Sequence, residues 1–181
     1  MERKQIEEGI NFLIKTYPKA LELFSILTNN KVQITIVIDP NMPKGSIKYN
    51  HSTHTLTFLE AQYGNSYGAL EDWAHVVQCE VYYKTDIPSN RNLEFEAKMF
   101  CDFNCAINDN EACASLYRGL SHDDDLIVTY CELKEVFAKG GKFTSDILST
   151  YYSLGRAWND PDYQSGIFQE KQPELLINLF K

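Results

Sequence analysis

The sequence predicts an α+β fold, predominantly helical, with a small N-terminal β-sheet and hairpin packed on the helix that carries Glu71 to His75. Three observations predict it. Val32-Gln33-Ile34-Thr35-Ile36-Val37-Ile38 is a β-branched, alternating run. Ile47 and Tyr49 before Asn50–Thr53, and Leu56 and Phe58 after it, alternate as a hairpin. From Tyr67 onward the apolar spacing is helical. The 181 residues suit one domain over 1–181, with a core of real size.

In chain order, Ile6, Ile10, Leu13, Ile14, Tyr17, Leu21 and Phe24 predict one long or two short amphipathic helices from about Lys4 to Asn29. Pro18 is the break or a second start. Asn29-Asn30 turns the chain into the strand Val32–Ile38, and Asp39–Gly45 is loop. Helices are predicted over Tyr67–Tyr83 and Asn92–Ile107, with a loop at Asp86–Asn90 between them. A third runs from Asp123 to Lys139 and is closed by Gly140-Gly141. A fourth runs from Phe143 to Trp158 with Thr144 or Ser145 as its cap, and Pro173 starts a short last helix.

Composition excludes several classes. At 44% hydrophobic and 13% aromatic the chain folds rather than staying disordered. A net charge of -8 repels phosphate backbones, so nucleic acid is not an expected partner. No apolar run approaches the roughly 18 residues of a membrane span, and Met1–Glu8 has no apolar signal core. The expectation is a soluble, cytoplasmic chain. Cys79, Cys101, Cys105, Cys113 and Cys131 are odd in number and match no disulfide framework, so reduced core thiols are expected. Cys101 and Cys105, one turn apart, are a weaker metal pair.

Chemistry gathers on the Tyr67–Tyr83 helix. At 100° per residue Leu70, Trp73, Ala74, Val77 and Val81 form an apolar stripe, and Glu71, His75, Gln78 and Tyr82 a narrow polar one. Glu71 and His75 are an i,i+4 pair, the spacing by which one helix supplies two metal ligands. Asp72 lies beside that stripe, where a general base would stand. On the next helix Glu94, Lys98 and Asp102 occupy a polar arc, with Glu94 and Lys98 as a surface pair. Glu96 falls among Leu93, Met99, Phe100 and Phe103. A buried carboxylate needs compensation, and His75, Gln78, a backbone N–H or a metal would each supply it.

Strand, hairpin, a Glu71-Asp72-Trp73-Ala74-His75 helix and then a helix bearing Glu96-Ala97 resemble the zincin-like metallopeptidases of the glutamate-ligand branch. The resemblance covers about Val32 to Phe103. It implies that Glu71 stands at the first zinc histidine, Asp72 at the glutamate base, His75 at the second histidine and Glu96 at the third ligand. Gln78 and Tyr82 would line the cleft. Two carboxylates and one imidazole polarise a metal-bound water less than nitrogen ligands do, and suit Zn²⁺, Mn²⁺ or Fe²⁺. Aspartate also draws a base back by roughly 1.5 Å, where a misplacement of about 1 Å costs about a hundredfold in rate. The implied function is therefore a degenerate, non-catalytic relative that binds a peptide or protein, with no resident cofactor. The alternative is a metal-dependent hydrolase with Glu71, His75 and Glu96 as ligands and Asp72 as base.

Other polar residues have plainer readings. His51 and His54 are turn residues. Ser121–Asp125 is a helix N-terminus. Tyr151-Tyr152 is aromatic packing.

Overall fold

A computed structural model describes residues 2–44, 46–61, 64, 66–108, 115–163 and 166–181. The fold is α+β and predominantly helical, with one three-stranded sheet. The chain, expected from its length to form one domain, gathers into two compact units, 1–84 and 85–181. No described helix is long and apolar enough to cross a membrane.

The first unit opens with α1 (Glu2–Thr16) and α2 (Ala20–Asn29), so Pro18 separates two helices. The sheet follows, as β1 (Thr35–Ile38), β2 (Ile47–Asn50) and β3 (Thr55–Phe58), in the order β1-β3-β2. β3 runs parallel to β1 and antiparallel to β2. As the middle strand it buries Leu56 and Phe58 completely, with Leu13, Leu23 and Leu70 also fully buried in this unit. The edge strand β1 keeps Ile36 and Val37 exposed.

The sequence placed the start of the first strand at Val32, three residues early. The Val32 N–H turns back to the Leu27 carbonyl (3.0 Å) and the Lys31 N–H to Thr28 (3.0 Å). Together they close α2 with a left-handed residue, Lys31, at φ 52. Val32 thus donates to the helix end rather than to the sheet.

α3 spans Tyr67–Val77, with the Ser66 side chain accepting from the Ala69 N–H at its start. The expected continuation to Tyr83 is helical but changes type: Gln78–Tyr82 is a π-helical turn, closed by Tyr83 N–H donating to the Gln78 carbonyl at 2.8 Å.

In the second unit α4 (Asn90–Ile107) lies amid α6 (Asp124–Ala138), α7 (Ser145–Ala157) and α8 (Glu174–Leu179), with the short α5 (Tyr117–Leu120) before α6. Ser89, Asp123 and Thr144 cap α4, α6 and α7, the last two as the sequence indicates. Gly140 sits at φ 79 and lets the Gly141 N–H reach the Val136 carbonyl at 2.8 Å, ending α6. The core is aromatic: Phe103 stacks on Phe137 at 4.2 Å, and Phe95 meets Tyr151, Trp158 and Phe168. Two glycines admit these rings. A Cβ on Gly119 would lie 2.1 Å from Trp158 Nε1, and one on Gly155 2.2 Å from Phe168.

The polar arc of α4 needs correction. Lys98 and Asp102 are buried, not at the surface. Lys98 does lie near Glu94 (Nζ to Oε2, 3.6 Å), but its ammonium also sits 4.3 Å from the centre of the Tyr163 ring. Asp102 collects four donors: Ser115 N–H and Oγ–H at 3.0 Å each, Leu116 N–H at 3.3 Å and Tyr130 O–H at 2.5 Å. Those donors come from the segment before α5 and from α6, so the wheel of α4 alone carries no sign of them. The cysteines are corrected in one place. Cys79, Cys101 and Cys131 are free thiols, but Cys105 is disulfide-bonded and so is no partner for a metal shared with Cys101. Cys113 lies outside the described residues.

Candidate functional site

α3 and its π turn place Glu71, Asp72, His75, Gln78 and Tyr82 in the first unit. Glu71, Asp72, His75 and Tyr82 are half-buried, and Gln78 is fully buried. Glu96 belongs to α4 in the second unit.

Asp72, His75 with Gln78, and Glu96 have partners that orient or occupy them. Asp72 Oδ1 accepts the backbone N–H of Tyr49 at 3.1 Å. In an antiparallel ladder the outward N–H groups of an edge strand are left to other acceptors. β2 is such an edge, and α3 supplies the acceptor with the carboxylate at the base position.

His75 Nδ1 lies 2.8 Å from Gln78 Oε1, three residues on. With the amide oxygen as acceptor, Nδ1 carries the proton and Nε2 is left as the basic nitrogen of the ring. This is the orientation that a metal-binding histidine takes from an outer hydrogen-bond partner. Glu71, one turn earlier, adds a carboxylate on the same stripe. These two residues could hold a divalent cation from one helix face.

Glu96 is almost fully buried. Of the compensations its position called for, the backbone supplies one. Oε1 accepts from Leu175 N–H at 2.8 Å and Leu176 N–H at 3.4 Å, in the first turn of α8. Pro173 offers no side-chain acceptor at that helix start, and the α4 carboxylate does the capping instead.

A second polar cluster in the first unit escaped the sequence reading. Glu80, in the π turn, accepts a short hydrogen bond from the Tyr49 hydroxyl and lies 2.8 Å from His54 Nδ1. His54 is a turn residue as expected, with a left-handed φ of 50, but its ring also ties the hairpin turn to the helix. Burial, and then the Glu80 carboxylate, push the Tyr49 phenol far above its ordinary range. The neighbouring Cys79 thiol is pushed up to about 12, by burial first and by Glu80 second. Such a thiol stays protonated at neutral pH and is no nucleophile. Glu80 is 31 residues from Tyr49 and 26 from His54. Only the odd placement of a glutamate next to a buried cysteine hinted at it.

Compared with family models, curated proteins and solved structures, the chain matches none of them.

Proposed function

We propose that this chain is a non-catalytic relative of the zincin-like metallopeptidases that acts by binding a peptide or protein segment. The observation that carries the reading is the Asp72–Tyr49 hydrogen bond. A general base needs its carboxylate within hydrogen-bond reach of the water it activates. Asp72 is shorter than the glutamate of a working motif and gives an oxygen to the edge of the sheet. Glu71 at the first ligand position supports the same reading, because a carboxylate there weakens the pull of a metal on bound water. The test is incubation of the purified chain with a degenerate peptide library and added Zn²⁺, Mn²⁺ or Fe²⁺, read by mass spectrometry. The expected result is no cleavage product above the no-protein control. Cleavage that disappears in both Asp72→Asn and His75→Ala would overturn the reading.

One observation favours the alternative, a metal-dependent hydrolase. Gln78 leaves His75 Nε2 as the basic nitrogen, one turn from Glu71, which is how a helix prepares two ligands. Calorimetric titration with Zn²⁺ or Mn²⁺ tests it. On this alternative one equivalent binds, and Gln78→Leu weakens binding by about 10- to 100-fold, as loss of an outer partner does. Heats that are the same in wild type and His75→Ala would exclude it.

A further inference from the structure

β1 is an edge strand, and among the described residues nothing hydrogen-bonds to its outer main-chain groups. In a parallel pair, alternate residues of a strand point their N–H and C=O groups at the partner strand. Thr35 N–H donates to the His54 carbonyl at 2.8 Å and Asp39 N–H to the Phe58 carbonyl at 2.9 Å, so Thr35, Val37 and Asp39 serve β3. Ile34, Ile36 and Ile38 therefore present their main-chain groups to the other side. Those groups have no partner among the described residues.

Within its own four residues β1 carries none of the sequence devices that protect an edge. Thr35-Ile36-Val37-Ile38 holds no proline, no charge and no bulge, and three of the four residues are exposed. β2 differs: it carries Lys48, and α3 closes its outer Tyr49 N–H. Beside the edge runs a hollow of about 470 Å³, lined by Ile6 and Ile10 of α1 and by Ile34, Ile36 and Ile38, with Arg3 and Glu7 of α1 as its charged members.

We infer that β1 pairs antiparallel with β1 of a second copy of this chain. The edge is its own complement. With Ile36 opposite Ile36 of the second copy, the two residues exchange both N–H···O=C bonds. Ile38 N–H then meets the Ile34 carbonyl of the other copy, and the reverse. The result is one continuous six-stranded sheet, β2-β3-β1-β1-β3-β2. The side chains of Ile34, Ile36 and Ile38 share the face that holds Leu56 and Phe58, and the second copy's three isoleucines enter the hollow from the same side. Charge does not oppose the pairing. Residues 1–84 carry nine carboxylates against eight basic side chains, and most of the net -8 lies beyond residue 84. Pairing through a strand of four residues gives a weak, concentration-dependent dimer rather than an obligate one.

Sedimentation equilibrium over a range of concentrations, together with amide exchange at the same concentrations, tests the inference. The expected result is a monomer–dimer equilibrium in which the Ile36 and Ile38 amides gain protection as concentration rises. Ile36→Pro removes the outward N–H and the isoleucine side chain, takes no donor from the β1–β3 ladder and raises the dimer Kd by at least about tenfold. Ile36→Lys has the same effect and decides the matter should the proline variant fail to fold. A chain that stays monomeric at the highest concentration overturns the inference. So does a dimer that persists in both variants. A chain that stays monomeric while an added extended peptide of unrelated apolar sequence protects the Ile36 and Ile38 amides overturns self-pairing in favour of a peptide partner.

Discussion

α3 in the first unit and α4 in the second both carry carboxylates at positions that look chemical in the sequence, but they use them differently. On α4 the acids are sunk into the core. Asp102 meets four donors and Glu96 caps α8, all within the second unit. On α3 Glu71 and Asp72 stay half-buried, and Asp72 accepts the Tyr49 N–H at a sheet edge. A buried acid surrounded by backbone N–H groups is a structural fastener, because desolvation makes its removal costly. The half-buried Asp72 instead fastens its helix to the outer edge of β2. The glutamate with the strongest appearance of a metal ligand in the sequence, Glu96, therefore belongs with the fasteners by its visible partners.

That contrast breaks most easily at Asp102. Asp102→Leu strands the Ser115, Leu116 and Tyr130 donors together and costs about 3–5 kcal/mol of stability, measured by urea denaturation. Loss of less than about 1 kcal/mol would mean that the network is ornamental and that α4 resembles α3 after all.

The aromatic core around α4 gives the next effect. Gly119→Ala places a methyl against the Trp158 indole, a fully buried ring with little freedom to retreat, and costs about 2–3 kcal/mol. Thermal unfolding followed by near-UV circular dichroism reads both the loss and the displaced indole.

Helix ends sharpen the comparison further. α2 and α6 close with the same hydrogen-bond pattern, one through Lys31 at φ 52 and the other through Gly140 at φ 79. A left-handed lysine is strained where glycine is not, so Lys31→Gly raises stability by about 1 kcal/mol, visible as a higher urea midpoint.

The smallest effect is a pH slope. The Tyr49 phenol titrates higher in the folded chain than in the unfolded one, chiefly through burial. Its contribution is complete below the unfolded value of about 10 and declines as pH rises beyond it, because the unfolded chain then releases a proton the folded one keeps. Tyr49→Phe removes that part of the alkaline decline, which paired denaturation curves at pH 8 and pH 10.5 measure as about a few tenths of a kcal/mol after solvent screening.

The elements that sequence reading located carry their own local signals. Asp123 and Thr144 are caps with side-chain acceptors, Gly140-Gly141 is a stop, and the hairpin alternates around Asn50–Thr53. What it missed depends on partners far along the chain or on a conformation the residue type disfavours. Lys31 in a left-handed turn gives no sign in composition, so the strand was started three residues early. Lys98 and Asp102 occupy a polar arc on a wheel but face Tyr163, Ser115 and Tyr130, so periodicity placed them at the surface. The π turn at Gln78 changes the angle per residue, and a wheel at 100° loses its phase there. In the candidate site, i,i+4 spacing put Glu71 and His75 on one stripe of α3, while Asp72 was singled out by its place beside that stripe. The Tyr49–Glu80–His54 cluster was not, because three short segments have to meet before it exists.

The exchange rate of one amide tests the central claim that Asp72 serves the sheet. In the wild-type chain the Tyr49 N–H should be protected, and in Asp72→Ala it should exchange at least about tenfold faster while the β2–β3 ladder amides keep their rates. A Tyr49 amide that exchanges equally fast in both proteins would show the carboxylate uncommitted and return it to the role of a base.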